Sequence, residues 1–414
     1  MRVLIVGAGI GGLTLGLRLH RAGIECRIYE AVPELKPLGV GINLLPHATR
    51  DLAELGLLPA LERVAVTTRE IAYYNRFGQF IYSDPSGRYG GYDWPQFSIH
   101  RGDLQMVLLE AFIERAGPKA LITGHRCVGV DQDADGANAH FVSTTTGTPL
   151  PSYRADVVIA CDGIHSAVRK QLHPGEGAPR YFGLNMWRGV TRMKPYLTGA
   201  SMVRIGWAET AKLLVYPIRN NIDAEGRQLI NWVCSIAQDT PIPQQDWNRP
   251  GRLEDFLPAM ADWSFDWLDV PAMCRAADEI LEYPMMDRDP LPSWGGGRVT
   301  LLGDAAHPMI PRGANGGAQA ILDCTALVKA LVAHADPVAA LKAYEAERLS
   351  ATAKVVLRNR EAPPDAILEE VYRRTGDKPF TRIEDVISEE ELAALNDGYK
   401  RVAGFDHERL RAVG

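Results

Sequence analysis

Paired cysteines are missing from this chain of 414 residues. Its six thiols, Cys26, Cys127, Cys161, Cys234, Cys274 and Cys324, form no CxxC pair and keep no regular spacing. That pattern argues against a zinc site, a redox-active dithiol and a disulfide framework, and fits thiols in a reducing cytoplasm. Basic charge is also scarce. Lys and Arg number 45 against 51 Asp and Glu, a net charge of -6, and they are scattered, so no surface for a nucleic-acid backbone is expected. The apolar start "MRVLIVGAGIGGLTLGLRLH" has an uncharged run of 15 residues, Val3 to Leu17. A membrane span needs about 20. Neither a bilayer segment nor a secretory signal is expected, since glycines interrupt the run and no small-residue cleavage site follows. No cluster with metal-ligand spacing is evident. At 46% hydrophobic residues the chain has ample material for one large or two smaller cores.

What is present begins with the glycines. A predicted strand, Val3 to Val6, runs into Gly7-x-Gly9-x-x-Gly12 and then a helix-like segment to about His20. The first glycine permits the tight turn, the second lets backbone approach a pyrophosphate, and the third lets helix and strand pack closely. A second predicted strand, Ile24 to Tyr29, ends in Glu30, 18 residues past Gly12. An acid there accepts both ribose hydroxyls of an adenosine and disfavours a 2'-phosphate, leaving NAD or FAD. No second GxGxxG follows a strand.

Two further strand-to-glycine stops lie far downstream. "ADVVIACDGIHSAVRKQL" reads as a strand from Asp156 to Cys161, a turn at Asp162-Gly163, and a helix with Ser166 and Arg169 on neighbouring turns. "RVTLLGDAAHP" reads as a strand, Val299 to Leu302, stopping at Gly303-Asp304. Ligands of open α/β sheets gather at the carboxyl ends of strands, so three such ends suggest one shared site.

Together Gly7, Gly9, Gly12 and Glu30, the stretch Asp162-Gly163-x-x-Ser166-x-x-Arg169, and Gly303-Asp304-Ala305-Ala306-His307-Pro308 resemble the three signatures of the single-component FAD-dependent aromatic hydroxylases. The likeness continues through "PLGVGINLLPHA", "FSIHRGDLQMVLL", "NMWRGVT" and "YPMMDRDPLPSWGGGRVTLLGDAAH", as far as about residue 360, and is strongest to the branch that modifies phenazines in pyocyanin biosynthesis. The resemblance implies FAD as cofactor and NADH or NADPH as co-substrate. It also implies hydroxylation of an aromatic or N-heteroaromatic acid through a C4a-hydroperoxyflavin, with decarboxylation where the carboxylate sits on the attacked carbon.

Roles follow residue by residue from the resemblance. Gly7, Gly9, Gly12 and Glu30 would hold the ADP half; Arg101 and Gln105 would reach the pyrophosphate and ribityl region. Asp304, after Gly303, would accept a ribityl hydroxyl. Asp162 and Gly163 would support the passage of the nicotinamide donor. Gly313, Asn315 and Gly316 would bring backbone against the isoalloxazine, with a helix from near Ala318 aiming its N–H groups at the ring. His307, Pro311 and Arg312 are the catalytic candidates of this stretch. Arg312 stands where the phenazine-modifying branch implies an apolar residue, and a guanidinium there suits a substrate carboxylate or a nicotinamide-donor phosphate.

The expected fold is therefore α/β: a Rossmann-like FAD-binding domain (1–72, 98–180 and 285–360), an antiparallel-sheet substrate domain (73–97 and 181–284), and a C-terminal helical tail (361–414). Strand-length apolar patterns in "MVRIGWAETAKLLVYPI" and "RQLINWVCSIA" supply the roof, joined by Ile71 to Phe97 with its aromatics Tyr73, Tyr74, Phe77, Tyr92 and Trp94. Expected partners are a small aromatic substrate and O2, in a monomer or homodimer. The competing readings are an FAD reductase of the isoprenoid-saturating type and a flavin-holding redox sensor.

Overall fold

The computed structural model describes residues 1–238, 249–361 and 365–403, together with Asp406, Glu408 and Leu410. A six-stranded sheet forms one layer, in the order Gly295–Gly296, Val299–Leu301, Val157–Ala160, Arg2–Val6, Glu25–Tyr29, Leu121–Ile122. All neighbours are parallel except the outermost pair at Gly295–Gly296. Parallel strands are covered on both faces and so read as unbroken apolar runs. Val157–Ala160 is buried at every position, and Arg2–Val6 at all but its first.

The helices Ile10–Arg21 and Asn315–Ala333 pack against this sheet and each other. Their approach depends on Gly12. A Cβ there would stand 1.9 Å from the carbonyl oxygen of Gly7, so only hydrogen fits between the turn and the helix. Asn315–Ala333 is long and apolar enough to cross a bilayer, but 61% of its most apolar window is buried within the protein, as in a core helix. It begins at Asn315, earlier than the expected Ala318, because Gly313 and Ala314 both take left-handed backbone and turn the chain directly into the helix.

A second sheet of seven strands runs Ile280–Asp287, Arg180–Met193, Gln228–Ala237, Ala211–Arg219, Ser201–Trp207, Glu70–Tyr74, Phe80–Pro85. It is antiparallel apart from the pairing of Ser201–Trp207 with Glu70–Tyr74. Side chains alternate between its faces. Val203, Leu213, Val215, Trp232 and Cys234 point to one side, against Phe256, Met260 and Trp263. Tyr216 and Asn231 point to the other and reach Gly41: the Tyr216 hydroxyl donates to Gly41 O at 3.0 Å, and Gly41 N donates to Asn231 Oδ1 at 2.7 Å. A Cβ on Gly41 would lie 2.7 Å from both Ile218 and Tyr216, so this glycine lets the roof sit down on the first layer.

The structure redraws several expected boundaries. The divisions at 72/73 and 284/285 fall inside the strands Glu70–Tyr74 and Ile280–Asp287, both of which pair within the roof. Phe97 leaves the roof segment and joins Phe97–His100, paired with Gly41–Leu44. Of the aromatics of this segment, Tyr73 and Tyr74 pack within the protein and Phe77 does not. Tyr73 is buried against Ile367, Leu368 and Val371 of the C-terminal helix Ala366–Thr375, Tyr74 lies 4.7 Å from the Trp267 ring, and Phe77 is exposed. The prolines Pro363 and Pro364, expected to break the chain before its tail, lie outside the described residues, as do 404, 405, 407, 409 and 411–414.

Gly12→Ala should cost about 3 kcal/mol or more, measured by urea denaturation of the cofactor-free protein, because the methyl group must displace backbone. Acid should also weaken the fold through His47, which is 1% exposed on the helix Pro46–Glu54. Burial, with the charges of Arg50 and Arg348, pushes its pKa from 6.5 down to about 3. The unfolded chain therefore takes up a proton that the folded chain refuses. This contribution is intact above pH 6.5 and declines by about 1.4 kcal/mol per unit as pH falls toward 3. His47→Gln should flatten that slope in denaturation curves taken across the window.

Candidate functional site

The strands Arg2–Val6, Val157–Ala160 and Val299–Leu301 are adjacent and parallel, so their carboxyl ends open at one edge of the sheet. Gly7, Asp162 and Gly303-Asp304 are therefore brought together across more than 290 residues of chain. Gly7 has φ +100°, and its Cβ position lies 2.5 Å from Cys161 O: two strand ends touch there. The Cβ position of Gly9, by contrast, has nothing within 4 Å. The middle glycine faces an open cradle, at the start of the helix Ile10–Arg21 with its unpaired N–H groups.

The other expected ADP-side residues converge on this loop. Glu30 accepts from Ala8 N at 2.6 Å and from Val32 N at 2.9 Å. Gln105, on the helix Arg101–Ala116, donates to Ala8 O at 2.8 Å. Arg101 opens that helix, exposed, with its side chain against Gly39. Asp304 follows the carboxyl end of Val299–Leu301, solvent-exposed yet ringed by protein. That surrounding bulk raises its pKa, opposed by the charges of His307 and Arg101. Gly316 faces it, 3.8 Å from Asp304 Oδ1 at its Cβ position, so helix Asn315–Ala333 starts beside the carboxylate. Asn315 is buried and donates to Gly313 O at 3.2 Å.

Asp162 turns into its own helix. Its Oδ2 accepts the N–H of Ala167 at 2.9 Å, and burial raises its pKa against the hydrogen bond from Ser166. Gly163 has φ +74° with open space at its Cβ position. Ser166 caps the helix Ala167–Leu172 by accepting from Arg169 N. The Arg169 side chain, only 3% exposed, reaches across to the third signature. Its Nη1 donates to Ala305 O at 2.9 Å and Ala306 O at 2.7 Å, while Nε and Nη2 hold Glu176 in a bidentate pair.

His307 is placed differently from its expected catalytic role. It points away from the groove, 4% exposed, and shares a 2.6 Å hydrogen bond with Asp323 Oδ2. Asp323 is completely buried and also accepts from Arg348 Nε at 2.7 Å and Gly303 N at 3.2 Å. Burial would raise its pKa; His307 and Arg348 outweigh that and hold it below the usual carboxylate value. His307 thus ties the turn to the helices behind it. Pro311 is exposed, and Arg312 is half-buried, its Nη1 3.4 Å from Asn359 O.

Sequence reading missed a group on the groove side of the roof. Arg188 donates to Gly41 O at 3.2 Å, and Arg204 and Lys212 both pair with Asp365, at 2.5 Å for Arg204. Alternation along the paired strands puts Arg204 and Lys212 on the Tyr216 face, a signal that could have found them, but the partner Asp365 lies 153 residues beyond Lys212 and no local signal links them.

The residues present fit FAD: an open glycine cradle, an acid beside it, a second acid at the end of a neighbouring strand and a helix start facing that acid. Gly9→Ala should leave urea stability within about 0.5 kcal/mol, since its methyl enters empty space. The same methyl should weaken FAD binding by tenfold or more, on the order of 1.4 kcal/mol. Asp304→Ala should weaken FAD by about 10- to 150-fold, the worth of a charge-assisted hydrogen bond. Titration of the apoprotein followed by flavin fluorescence checks both.

Residues 1–246 and 277–359 match the family model described as "FAD binding domain". The phenazine 1,6-dicarboxylic acid hydroxylase PhzS of Lysobacter antibioticus is 41% identical, over 98% of each chain. The 6-hydroxynicotinate 3-monooxygenase of Bordetella bronchiseptica is 30% identical, over 90% of this chain and 96% of its own. Among solved structures, Klebsiella pneumoniae HpxO complexed with FAD and uric acid shares the fold, with a TM-score of 0.75, 24% identity and coverage of 100% and 98%. The chain belongs to the FAD-binding-domain family, among the single-component FAD-dependent aromatic hydroxylases.

Proposed function

We propose that the protein uses NADH or NADPH and O2 to hydroxylate an aromatic or N-heteroaromatic carboxylic acid, with loss of CO2 where the carboxylate occupies the attacked carbon. The observation that carries this reading is the convergence of three parallel strand ends beneath the roof sheet, which together bound the proposed groove. One wall holds the three adjacent strand ends; the other is the seven-stranded, mostly antiparallel sheet bearing apolar side chains and buried cations. The relatives named for phenazine dicarboxylate and hydroxynicotinate support an acidic, nitrogen-containing ring. In the decarboxylating case, the carboxylate, O2, the reduced nicotinamide and two protons give the phenol, CO2, the oxidised nicotinamide and water.

Bound FAD supplies acceptance of electrons from the nicotinamide and activation of O2. The chain's own tasks are binding, orientation and exclusion of water. The Gly7 to Gly12 loop, Glu30, Arg101 and Gln105 hold the ADP half, while Asp304 takes a sugar-chain hydroxyl. Gly313, Ala314 and the start of helix Asn315–Ala333 present backbone N–H groups, and a positive helix end stabilises negative charge on the ring by about 0.3 to 2 kcal/mol. Asp162 and Gly163 border the side from which the nicotinamide donor approaches. The roof contributes an apolar surface of Met202, Leu214, Tyr216 and Ile218, which dries the reacting face. By this reading residues 73–97 and 181–284 roof the substrate and the remaining strands carry FAD, with the boundary strands shared.

The purified protein should retain one FAD per chain. NAD(P)H oxidation and O2 uptake should be slow alone and rise at least tenfold with phenazine-1-carboxylate, phenazine-1,6-dicarboxylate or a hydroxynicotinate, yielding a hydroxylated product by mass spectrometry. Equal rates with and without every such acid, or turnover without O2 uptake, would overturn the proposal in favour of a reductase or a sensor.

A further inference from the structure

Where the roof meets the C-terminal helix Ala366–Thr375, three cations crowd one carboxylate. Asp365, 4% exposed, stands just before that helix and accepts from Arg204 at 2.5 Å and from Lys212. Arg204 and Lys212 are themselves 8% exposed. Burial alone would push the Asp365 carboxyl up, but Lys212 and Arg204, with Arg312 beyond them, hold it far below the usual range. Arg312 makes no ion pair within 4.0 Å among the described residues, and its buried Nε has no hydrogen-bond partner there. Burial lowers its pKa, opposed only by the more distant Asp365 and by the exposed Glu369.

A half-buried guanidinium whose Nε is buried and idle is costly to leave without an anion. Arg312 directly precedes Gly313 and Ala314 in the turn that delivers Gly316 to Asp304, and Lys212 shares its strand face with Leu214 and Tyr216. The charge excess therefore borders the proposed reaction groove and lies at the end of its apolar surface.

We infer that Arg312, assisted by Lys212 and Arg204, forms the subsite for a ring carboxylate, and that Asp365 is a built-in competing anion that holds the two roof cations in place while lowering the subsite's affinity. This rests on the reading of the groove as the site of an aromatic acid. A guanidinium offers a carboxylate two parallel N–H donors, while a neutral amide of the same shape offers back only one acceptor. Asp365 meanwhile shares the cations with the incoming anion and repels it. Arg312 and Asp365 therefore act on the same ligand with opposite signs.

The test uses the FAD-loaded protein titrated with phenazine-1-carboxylate and with neutral phenazine-1-carboxamide, read by the flavin absorbance change. Wild type should bind the carboxylate about tenfold or more tightly than the amide, the worth of a charge-assisted pair. Arg312→Met should weaken the carboxylate about tenfold or more and leave the amide within about twofold, removing the discrimination. Asp365→Asn should tighten carboxylate binding while lowering the melting temperature. Equal binding of acid and amide by wild type, or equal weakening of both by Arg312→Met, overturns the subsite and leaves the hydroxylase reading standing. Weaker carboxylate binding by a folded Asp365→Asn protein overturns the role of Asp365 as competitor. Should Asp365→Asn fail to fold, the Arg312→Met discrimination decides alone. Failure of both ligands to perturb the flavin of wild type overturns the aromatic-acid reading of the groove, and the subsite with it.

Discussion

The carboxylate of Asp323 has no solvent exposure, and an ion buried alone in protein would cost several kcal/mol. It persists because His307, Arg348 and the N–H of Gly303 all donate to it. Those donors come from the turn that carries Asp304 and from the helix Pro337–Glu361, while Asp323 itself lies on Asn315–Ala333. One buried charge thus fixes three elements relative to each other. The position of Asp304 follows from this tie, since Gly303 with φ +64° is held by its own N–H and cannot drift.

Arg169 makes the matching connection from the other side. Its donors to Ala305 O and Ala306 O satisfy carbonyls at the end of the same turn, which would otherwise be stranded in the interior. The Asp162 and Asp304 signatures are therefore one mechanical unit although 142 positions separate them. The arginine that closes the second signature acts on the backbone of the third and does not face the groove. In both signatures a basic residue near the end, Arg169 or His307, points inward and holds the turn; Asp304 is left exposed, while Asp162 turns into its own helix. The polar ends of these motifs are chiefly devices for keeping irregular backbone in a fixed shape at a sheet edge.

This separation explains what could be read from sequence. The parallel layer was legible because buried strands ending in glycine and acid are local patterns, and the Arg2–Val6, Val157–Ala160 and Val299–Leu301 strands all lie within two residues of where composition put them. His307 is a catalytic candidate by its place in the motif, and sequence alone gives it no partner. Only packing shows that its partner is Asp323, one helix behind. The roof was half legible. Its strands show aromatic and β-branched patterning, but which face meets the groove depends on pairings such as Leu214 with Val233, and Tyr73, on the same face as Arg204, is covered by the C-terminal helix. The start of Asn315–Ala333 was misplaced because left-handed backbone at Ala314, a non-glycine, carries no sequence signature.

Ala314 also shows where strain is tolerated. A non-glycine residue at φ +58° is costly by about 1 to 3 kcal/mol and persists only when its surroundings enforce it. Here the enforcement comes from both sides: Asn315 is buried and bonded to Gly313 O, and the helix it begins is anchored by Asp323 two turns on. The strained turn holds backbone N–H groups at the groove without a side chain in between. A glycine at 314 would relax the strain and free the loop, whereas alanine restricts the chain to one of few conformations. The same buried network that makes Asp323 tolerable therefore also holds in place the backbone that carries Arg312, two residues before Ala314, whose Nη1 lies 3.4 Å from Asn359 O.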